Sequence, residues 1–250
     1  MVPSLPERVD AVLLDLFGTL VTVDEARLPT LRVGGRTVHS TVPAILRELR
    51  AILPGLAEAD ALREMSAVLA ERPRRPENAE IAEHLLFAAL LERLGVRDDG
   101  EELARRLADA QMAAVVGACR PVPGSAALLE TLRAARVRTV LVSNLAHAES
   151  VRDLLAVADR GDSFDAIVTS IEVGYCKPDA RPFELALTRA EAAAEHAIHI
   201  GDDVTDDVAG ATGAGIHPVW FNPSGRDWPG PAGAAPTTVT TLMEAAALVR

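Results

Sequence analysis

The stretch that decides the fold is VDAVLLDLFGTL, residues 9 to 20. Its first part, residues 9 to 14, is nearly unbroken in apolar residues and ends at Asp15, with Gly18 and Thr19 close behind. A short apolar run bounded by a polar residue and a glycine is typical of a strand that is buried on both faces of a parallel sheet. The stretch therefore predicts a buried parallel strand with polar groups at its carboxyl end.

Similar apolar runs recur in the second half of the chain, with helical patterns between them. The runs occupy residues 139–142, 166–169, 197–200 and 217–221. The helical patterns occupy residues 125–135, 147–157, 181–194, 204–212 and 240–249. This alternation predicts an α/β fold with a doubly wound, Rossmann-like parallel sheet, because strand–helix–strand crossovers are right-handed. In such sheets ligands bind outside the carboxyl ends of the strands.

The pattern changes between residues 23 and 118. Amphipathic helical stretches lie at residues 42–53, 57–70, 77–94 and 101–116, and no convincing strand interrupts them. The sequence thus predicts an inserted all-helical cap at 23–118, with the α/β core formed by 1–22 and 119–250. We expect such a cap to lie over the strand ends and to shape the substrate pocket.

Composition and charge exclude several classes of function. With 25 basic and 36 acidic residues the formal net charge is -11, which disfavours a nucleic-acid-binding surface. The two cysteines, Cys119 and Cys176, are too few for a disulfide framework or a zinc site, so a reducing cytoplasmic location is expected. Neither a signal peptide nor a run of 18 apolar residues is evident, so no membrane partner is expected. A small-molecule substrate is the expected partner, and the oligomeric state is left open.

Polar side chains mark the strand ends where a ligand would bind. They are Asp15, Ser143 with Asn144, Lys177, and Asp202 with Asp203 and Asp207; Lys177 is the single lysine of the chain. Each of them alone is explained as well by a helix cap or a turn. Together they supply a nucleophile, a hydroxyl, a cation and the carboxylates that Mg²⁺ prefers. A phosphoryl group neutralised by such groups could be attacked by the Asp15 carboxylate.

These residues look like the four motifs of the haloacid dehalogenase-like hydrolase superfamily, in its helical-cap phosphatase and dehalogenase branch. The motifs are VLLDLFGTL at 12–20, VLVSN at 140–144, GYCKPD at 174–179 and IGDDVTDDVAGA at 200–211. They occur in the order that the superfamily uses and span most of the chain.

The resemblance implies a hydrolase that is a Mg²⁺-dependent phosphatase of a small phosphorylated metabolite. It implies that Asp15 is the nucleophile and forms an aspartyl-phosphate intermediate, while Lys177 steadies the nucleophile and the transferred group. It further implies a set of substrate-binding residues and a set of Mg²⁺ ligands. The substrate-binding residues would be Thr19, Ser143 and Asn144, and the Mg²⁺ ligands would be Asp15, the main-chain carbonyl of Phe17, Asp202 and Asp207, with Asp203 as a further acidic candidate.

Phe17 departs from the phosphatase pattern. Phosphatases of the superfamily usually place a second aspartate there, which protonates the leaving oxygen and later activates water. A phenylalanine does neither, although its carbonyl can still bind a metal. Loss of general acid/base help costs about 10² to 10⁴-fold in rate, so such an enzyme would be slow rather than inactive. His39 and His84 in the insertion are conceivable proton donors, but a solvated or packed histidine explains each of them better.

Three other interpretations follow from Phe17. The first motif with an aromatic residue resembles the 2-haloacid dehalogenases, whose halide leaving group needs no proton; the acids Asp202 and Asp203 argue against this, since they would repel a carboxylate substrate. The phosphonoacetaldehyde hydrolase type needs a cap lysine, and residues 23–118 contain none. The last alternative is a catalytically impaired protein that binds a phosphorylated ligand without turnover.

Overall fold

The computed structural model describes residues 5–71, 78–158, 163–231 and 233–249. Within these ranges the strands are β1 (Ala11–Leu14), β2 (Val21–Val23), β3 (Thr30–Val33), β4 (Arg36–His39), β5 (Cys119–Pro121), β6 (Arg138–Ser143), β7 (Ala166–Thr169), β8 (Ala197–Gly201), β9 (His217–Phe221) and β10 (Thr237–Val239). Six of them form a parallel sheet in the order β10-β9-β8-β1-β6-β7. The predicted α/β fold with a doubly wound parallel sheet is confirmed.

Helices cover both faces of the sheet. They are α1 (Val42–Ile52), α2 (Glu58–Ala70), α3 (Glu83–Arg93), α4 (Gly100–Ala118), α5 (Ser125–Ala135), α6 (Val151–Ala158), α7 (Ser170–Val173), α8 (Ala180–Ala190), α9 (Gly210–Gly213) and α10 (Leu242–Ala247). Successive residues of β1 point to opposite faces, so Val12 packs with α5, α6 and α10 whereas Leu13 packs with α8 and α9. No helix in the described ranges combines the length and the apolarity needed to cross a bilayer.

The sequence predicted the strands of the core better than the helix ends. The helix expected at 181–194 stops at Ala190, because Glu191 adopts a left-handed φ of 54°. The helix expected at 204–212 begins as a π-helical turn, Val204–Ala209. The helix expected at 77–94 begins at Glu83, and residue 77 lies outside the described residues. Strand β10 was missed because it has only three residues.

The insertion has a hydrophobic core of its own. Helices α1 to α4 surround buried residues that include Ile45, Leu49, Leu91 and Leu107. The chain enters and leaves this part of the molecule through β2 and β5, which pair in an antiparallel ribbon. The described residues of the insertion are thus held together by their own apolar contacts and joined to the sheet by two strands.

A short β-hairpin in the insertion was not predicted, and the expectation of helices alone was wrong at this point. Strands β3 and β4 pair through a turn in which Gly34 and Gly35 have φ values of 56° and 81°. A Gly-Gly pair with positive φ at both residues is a strong hairpin signal. The strands carry no buried residue, so their apolar pattern did not point to a core.

We predict that the insertion core can be weakened by a single truncation in α3. Leu91→Ala removes a fully buried side chain and should lower the free energy of unfolding by about 2 to 5 kcal/mol. Leu85→Ala on the same helix removes a side chain that is 52% exposed and should change it by less than about 0.5 kcal/mol. Urea unfolding of both variants tests this; equal effects would contradict a packed core here.

Candidate active site

Three neighbouring strands bring the predicted site residues to one edge of the sheet. Leu14 of β1 is in register with Leu141 of β6 on one side and with Ile200 of β8 on the other. Asp15, Ser143 and Asp202 therefore emerge side by side, since parallel strands end at the same edge. The expected meeting of these strand ends is what the structure shows.

Lys177 reaches this edge from the loop that follows α7. The side chain of Asn144 holds the loop: its Oδ1 accepts from the Lys177 backbone N–H at 2.7 Å, and its Nδ2 donates to the Lys177 carbonyl at 3.1 Å. The same Nδ2 lies 3.1 Å from Asp206 Oδ2. The amide of Asn144 is thus occupied in fixing the lysine.

The Lys177 ammonium lies between two buried carboxylates. Its Nζ donates to Asp15 Oδ1 at 2.7 Å, to Asp207 Oδ1 at 2.6 Å and to the Val142 carbonyl at 3.0 Å. All three ammonium donors are therefore used. The side chains of Lys177, Asp15 and Asp207 are only 2%, 10% and 3% exposed, so each charge depends on the others for compensation.

The pKa values follow from this mutual dependence. Burial would lower the pKa of Lys177, but Asp15 and Asp207 raise it above its usual value, so the ammonium stays charged. Burial would raise the pKa of Asp207, but Lys177 and His199 hold it well below its usual range. Burial raises the pKa of Asp15 to about 7 against the opposing effect of Lys177, with a further rise from Asp207. Of the two carboxylates that contact Lys177, Asp15 is therefore the one whose negative charge is less compensated.

The acidic residues fit a hard divalent cation. Carboxylate oxygens of Asp15, Asp202 and Asp207 lie within 4.8 Å of one another. Burial and the charges of Asp207 and Asp203 raise the pKa of Asp202 to about 6. Asp15 Oδ2 is buried and has no hydrogen-bond partner in the described part of the chain. A cation bound by carboxylate oxygens would relieve this repulsion, and an all-oxygen donor set is the one that Mg²⁺ prefers.

Two glycines allow the acids to approach the strand ends. A Cβ atom at Gly201 would lie 2.2 Å from Asp207 Cγ, and one at Gly18 would lie 2.5 Å from the Asp202 carboxylate. Gly18 also has a φ of 84°, in the left-handed region that favours glycine. Both motif glycines are therefore required by the close packing of carboxylates against backbone.

His199 is a site residue that we did not predict. It lies in β8 and its Nε2 is 2.9 Å from Asp207 Oδ1, while the Asp203 N–H donates to Asp207 Oδ2 at 3.0 Å. Asp207 is thus held from three sides, by Lys177, His199 and a backbone amide. The available signal was a single histidine inside an otherwise apolar strand, three positions before Asp202.

The acids and Lys177 line a cavity of about 220 Å³. Its lining residues are Asp15, Phe17, Ser143, Asn144, Lys177, Asp202, Asp203, Asp206 and Asp207. Every predicted site residue except Thr19 is among them, and Asp206 is an addition. Phe17, which also packs against the hydrophobic core, makes one wall apolar.

The remaining candidates occupy other positions. Thr19 is fully buried and absent from the cavity wall, and its hydroxyl has no partner among the described residues. Asp203 caps the following turn, because its Oδ1 accepts from the N–H groups of Thr205 and Asp206. Neither His39 nor His84 lines the cavity.

Comparison with known proteins agrees with the geometry. The family model for haloacid dehalogenase-like hydrolases matches residues 9–215. The chain belongs to the haloacid dehalogenase-like hydrolases. The prediction made from the four motifs is confirmed, and the chain is a hydrolase of this family.

The relatives of this hydrolase include several named phosphatases. It is 31% identical to a pyrimidine 5'-nucleotidase of Escherichia coli over 164 residues, 65% of this chain and 68% of that protein. It is 33% identical to a ribulose-1,5-bisphosphate 5-phosphatase of Halopiger xanaduensis over 142 residues, 56% of this chain and 58% of that protein. A 2-haloacid dehalogenase structure from Pseudomonas syringae shares the fold with a TM-score of 0.69 and 24% identity, covering 96% of this chain and 98% of that one.

We predict that removal of the lysine destabilises the hydrolase in a pH-dependent way. Lys177→Met leaves Asp15 and Asp207 buried without a cation, which should cost about 3 to 5 kcal/mol at pH 8. Without the ammonium the folded-state pKa values of both carboxyl groups rise, and that of Asp15, already raised to about 7, moves further above its unfolded value, so protonation favours the folded state of the variant. The difference from the wild type should therefore shrink as the pH falls from 8 to 5.

Urea unfolding in EDTA at several pH values measures this difference. Arg138→Met is the control, because its ion pair with Asp165 has side chains 54% and 36% exposed and should contribute less than about 1 kcal/mol. A deficit for Lys177→Met that stays constant across the pH range would show that the two carboxylates are not its cause.

Proposed function

We propose that this hydrolase is a Mg²⁺-dependent phosphatase of small phosphate monoesters, with Asp15 as the nucleophile. The observation that carries the proposal is the buried cluster in which Lys177 binds one oxygen of Asp15 and leaves the other without a partner among the described residues. A carboxylate oriented by one oxygen and free at the other is suited to nucleophilic attack.

The proposed reaction has two displacements at phosphorus. In the first, Asp15 Oδ2 forms a bond to phosphorus while the ester P–O bond breaks, giving an aspartyl phosphate and an alcohol whose oxygen takes up a proton from solvent water, which regains one from the attacking water of the second step. In the second, water adds to phosphorus, the acyl phosphate bond breaks and the Asp15 carboxylate is regenerated with release of inorganic phosphate. Lys177 and the Ser143 side chain line the place where the phosphoryl oxygens would lie.

The carboxylates of Asp15, Asp202 and Asp207 and the main-chain carbonyl of Phe17 would hold Mg²⁺. When bound, the ion would neutralise negative charge on the phosphoryl group. The backbone of Asp202 is well fixed for this role, since its carbonyl accepts from Trp220 Nε1 and from an Arg226 guanidinium N–H, each at 3.1 Å.

The insertion, residues 23–118, would serve as the cap of this active site, with 1–22 and 119–250 as the core. Supporting contacts lie beside Lys177: the Cys176 N–H donates to the Asn78 carbonyl at 2.7 Å, and the Glu80 N–H donates to the Gly174 carbonyl at 2.8 Å. Asn78 and Glu80 of the insertion also line a cavity that shares Asn144, Lys177 and Asp206 with the acidic cavity, so the insertion lies beside the site.

A dehalogenase is the second candidate, and Phe17 is the observation that favours it. Halide leaves without a proton, so an aromatic wall would suffice. The acids around Asp15 oppose it, because they would repel a 2-haloacid carboxylate. Chloride release from 2-chloropropionate in the presence of a chelator, without phosphate release from any monoester, would support the dehalogenase instead. Binding of monoesters without release of either product would support a binding protein.

We predict metal-dependent phosphate release that requires Asp15. With Mg²⁺ the wild type should release phosphate from acetyl phosphate, and EDTA should abolish the release. Asp15→Asn should lower the rate by at least about 10³-fold, because an amide is a poor nucleophile. Asp179→Asn is the matched control, since asparagine also serves as a helix N-cap at the start of α8. Retention of full activity by Asp15→Asn would refute the mechanism.

We further predict that the missing proton donor can be supplied at residue 17. Phe17→Asp should raise kcat on an unactivated alkyl phosphate by about 10-fold or more, because a well-placed general acid contributes about 10² to 10⁴-fold and an introduced one should recover part of that. Phe17→Asn introduces a side chain of nearly the same shape as aspartate but without an acidic group, so it should not raise kcat. Acetyl phosphate, whose leaving group is a good one, should show little difference between the two variants. Equal alkyl phosphate rates for both variants would place the proton donor elsewhere.

A further inference from the structure

The insertion contains an apolar cavity of about 420 Å³ that faces the loop after β6. Most of its wall is aliphatic or aromatic. The lining residues are Thr41, Val42, Ile45, Met65, Val68, Leu69, Ile81, Glu83, Leu86, Phe87, Leu90, Gln111 and Ala146. A cavity of this size with few polar groups is typical of a site for a small organic group.

A third cavity adjoins both this apolar cavity and the acidic cavity. This third cavity, of about 460 Å³, shares Asn144, Lys177 and Asp206 with the acidic cavity and shares Ala146 with the apolar one. Asn144 and Ala146 are two residues apart, so their Cα atoms are within about 7.6 Å of each other. One small molecule could therefore place a phosphate at Asp15 and an organic group in the apolar cavity.

The apolar cavity contains one carboxylate among its described lining residues, that of Glu83, and its hydrogen bonding is incomplete. Its Oε1 accepts from Gln111 Nε2, whereas its Oε2 is buried and has no hydrogen-bond partner in the described residues. Burial also raises the pKa of Glu83 above its usual value. A buried acceptor without a donor costs free energy, which a ligand with an N–H or O–H group would recover.

We propose that the apolar cavity binds the organic part of the substrate, an apolar or aromatic group that carries an N–H or O–H donor for Glu83 Oε2. Gln111 would be a positioning residue that orients the carboxylate. The cavity wall contains no basic residue among the described residues, so a second phosphate or a carboxylate would be repelled by Glu83. This inference rests on the proposed function and adds a class of substrate: monophosphates of neutral, largely apolar alcohols that carry an N–H or O–H donor.

Matched pairs of substrates test the donor directly. 3'-Deoxythymidine 5'-monophosphate and 3-hydroxybenzyl phosphate each carry a ring with a single N–H or O–H donor. Each parent compound is compared with a partner in which a methyl group replaces the donor hydrogen. These partners are the N3-methyl derivative of the first compound and 3-methoxybenzyl phosphate. For at least one pair, kcat/KM should be about 10-fold or more higher for the parent compound than for its methylated partner, mainly because KM is lower for the parent compound. Acetyl phosphate, whose acetyl group carries neither a large apolar part nor an N–H or O–H donor, serves as the reference.

Variants of Glu83 provide the second arm. Glu83→Leu should remove the preference for the donor and lower kcat/KM for the preferred parent compound by about 10 to 100-fold, the equivalent of one charged hydrogen bond. Glu83→Gln retains an acceptor oxygen and should lose less. Glu92→Gln, an exposed glutamate on the same helix, is the matched control. None of the three should change acetyl phosphate hydrolysis by more than about twofold.

The outcomes separate the two proposals. Intact acetyl phosphate hydrolysis with no donor preference for either pair, or an equal loss on all substrates in Glu83→Leu, would overturn the inference and leave the phosphatase proposal standing. Absence of acetyl phosphate hydrolysis by the wild type in Mg²⁺ would overturn the phosphatase proposal and this inference with it.

Discussion

The candidate active site at the carboxyl ends of the strands depends on one interaction, the contact of the Lys177 ammonium with the carboxylates of Asp15 and Asp207. Two buried carboxylates are tolerable this close together only because the ammonium lies between them, since its removal leaves both uncompensated. The remaining arrangement follows from the need to bring them together. The parallel strands supply Asp15 and the backbone carbonyl of Val142, and the loop held by Asn144 supplies the lysine.

The close packing of acids in turn dictates small residues and fixed backbone around them. Gly201 is needed because the Asp207 carboxylate lies against it, and Gly18 because Asp202 does. His199 and the Asp203 amide then hold Asp207 in place. The acids that would bind a cation are therefore oriented by the protein itself, so a bound metal would find its ligands already in position rather than having to assemble them.

Much of the fold and most of the site could be predicted from the sequence, because buried parallel strands leave continuous apolar runs and their polar ends are easy to find. Lys177 was recognisable as the single lysine of the chain. Features that depend on three-dimensional neighbours could not be found in this way. Glu83 looks like an ordinary first residue of a helix, and only the packing of α3 places it in an apolar cavity. The exposed hairpin Thr30–Val33 and Arg36–His39 lacks a buried face that would mark it.

In the proposed mechanism Asp15 itself becomes covalently bound to phosphorus. Rapid acid quenching of the wild type with acetyl phosphate and Mg²⁺, followed by proteolysis and mass spectrometry, tests it most directly. We expect one phosphoryl group on the peptide that contains Asp15, lost when the peptide is treated with hydroxylamine. Phosphate release with the phosphoryl group on another residue, or with no covalent adduct at any quench time, would contradict it.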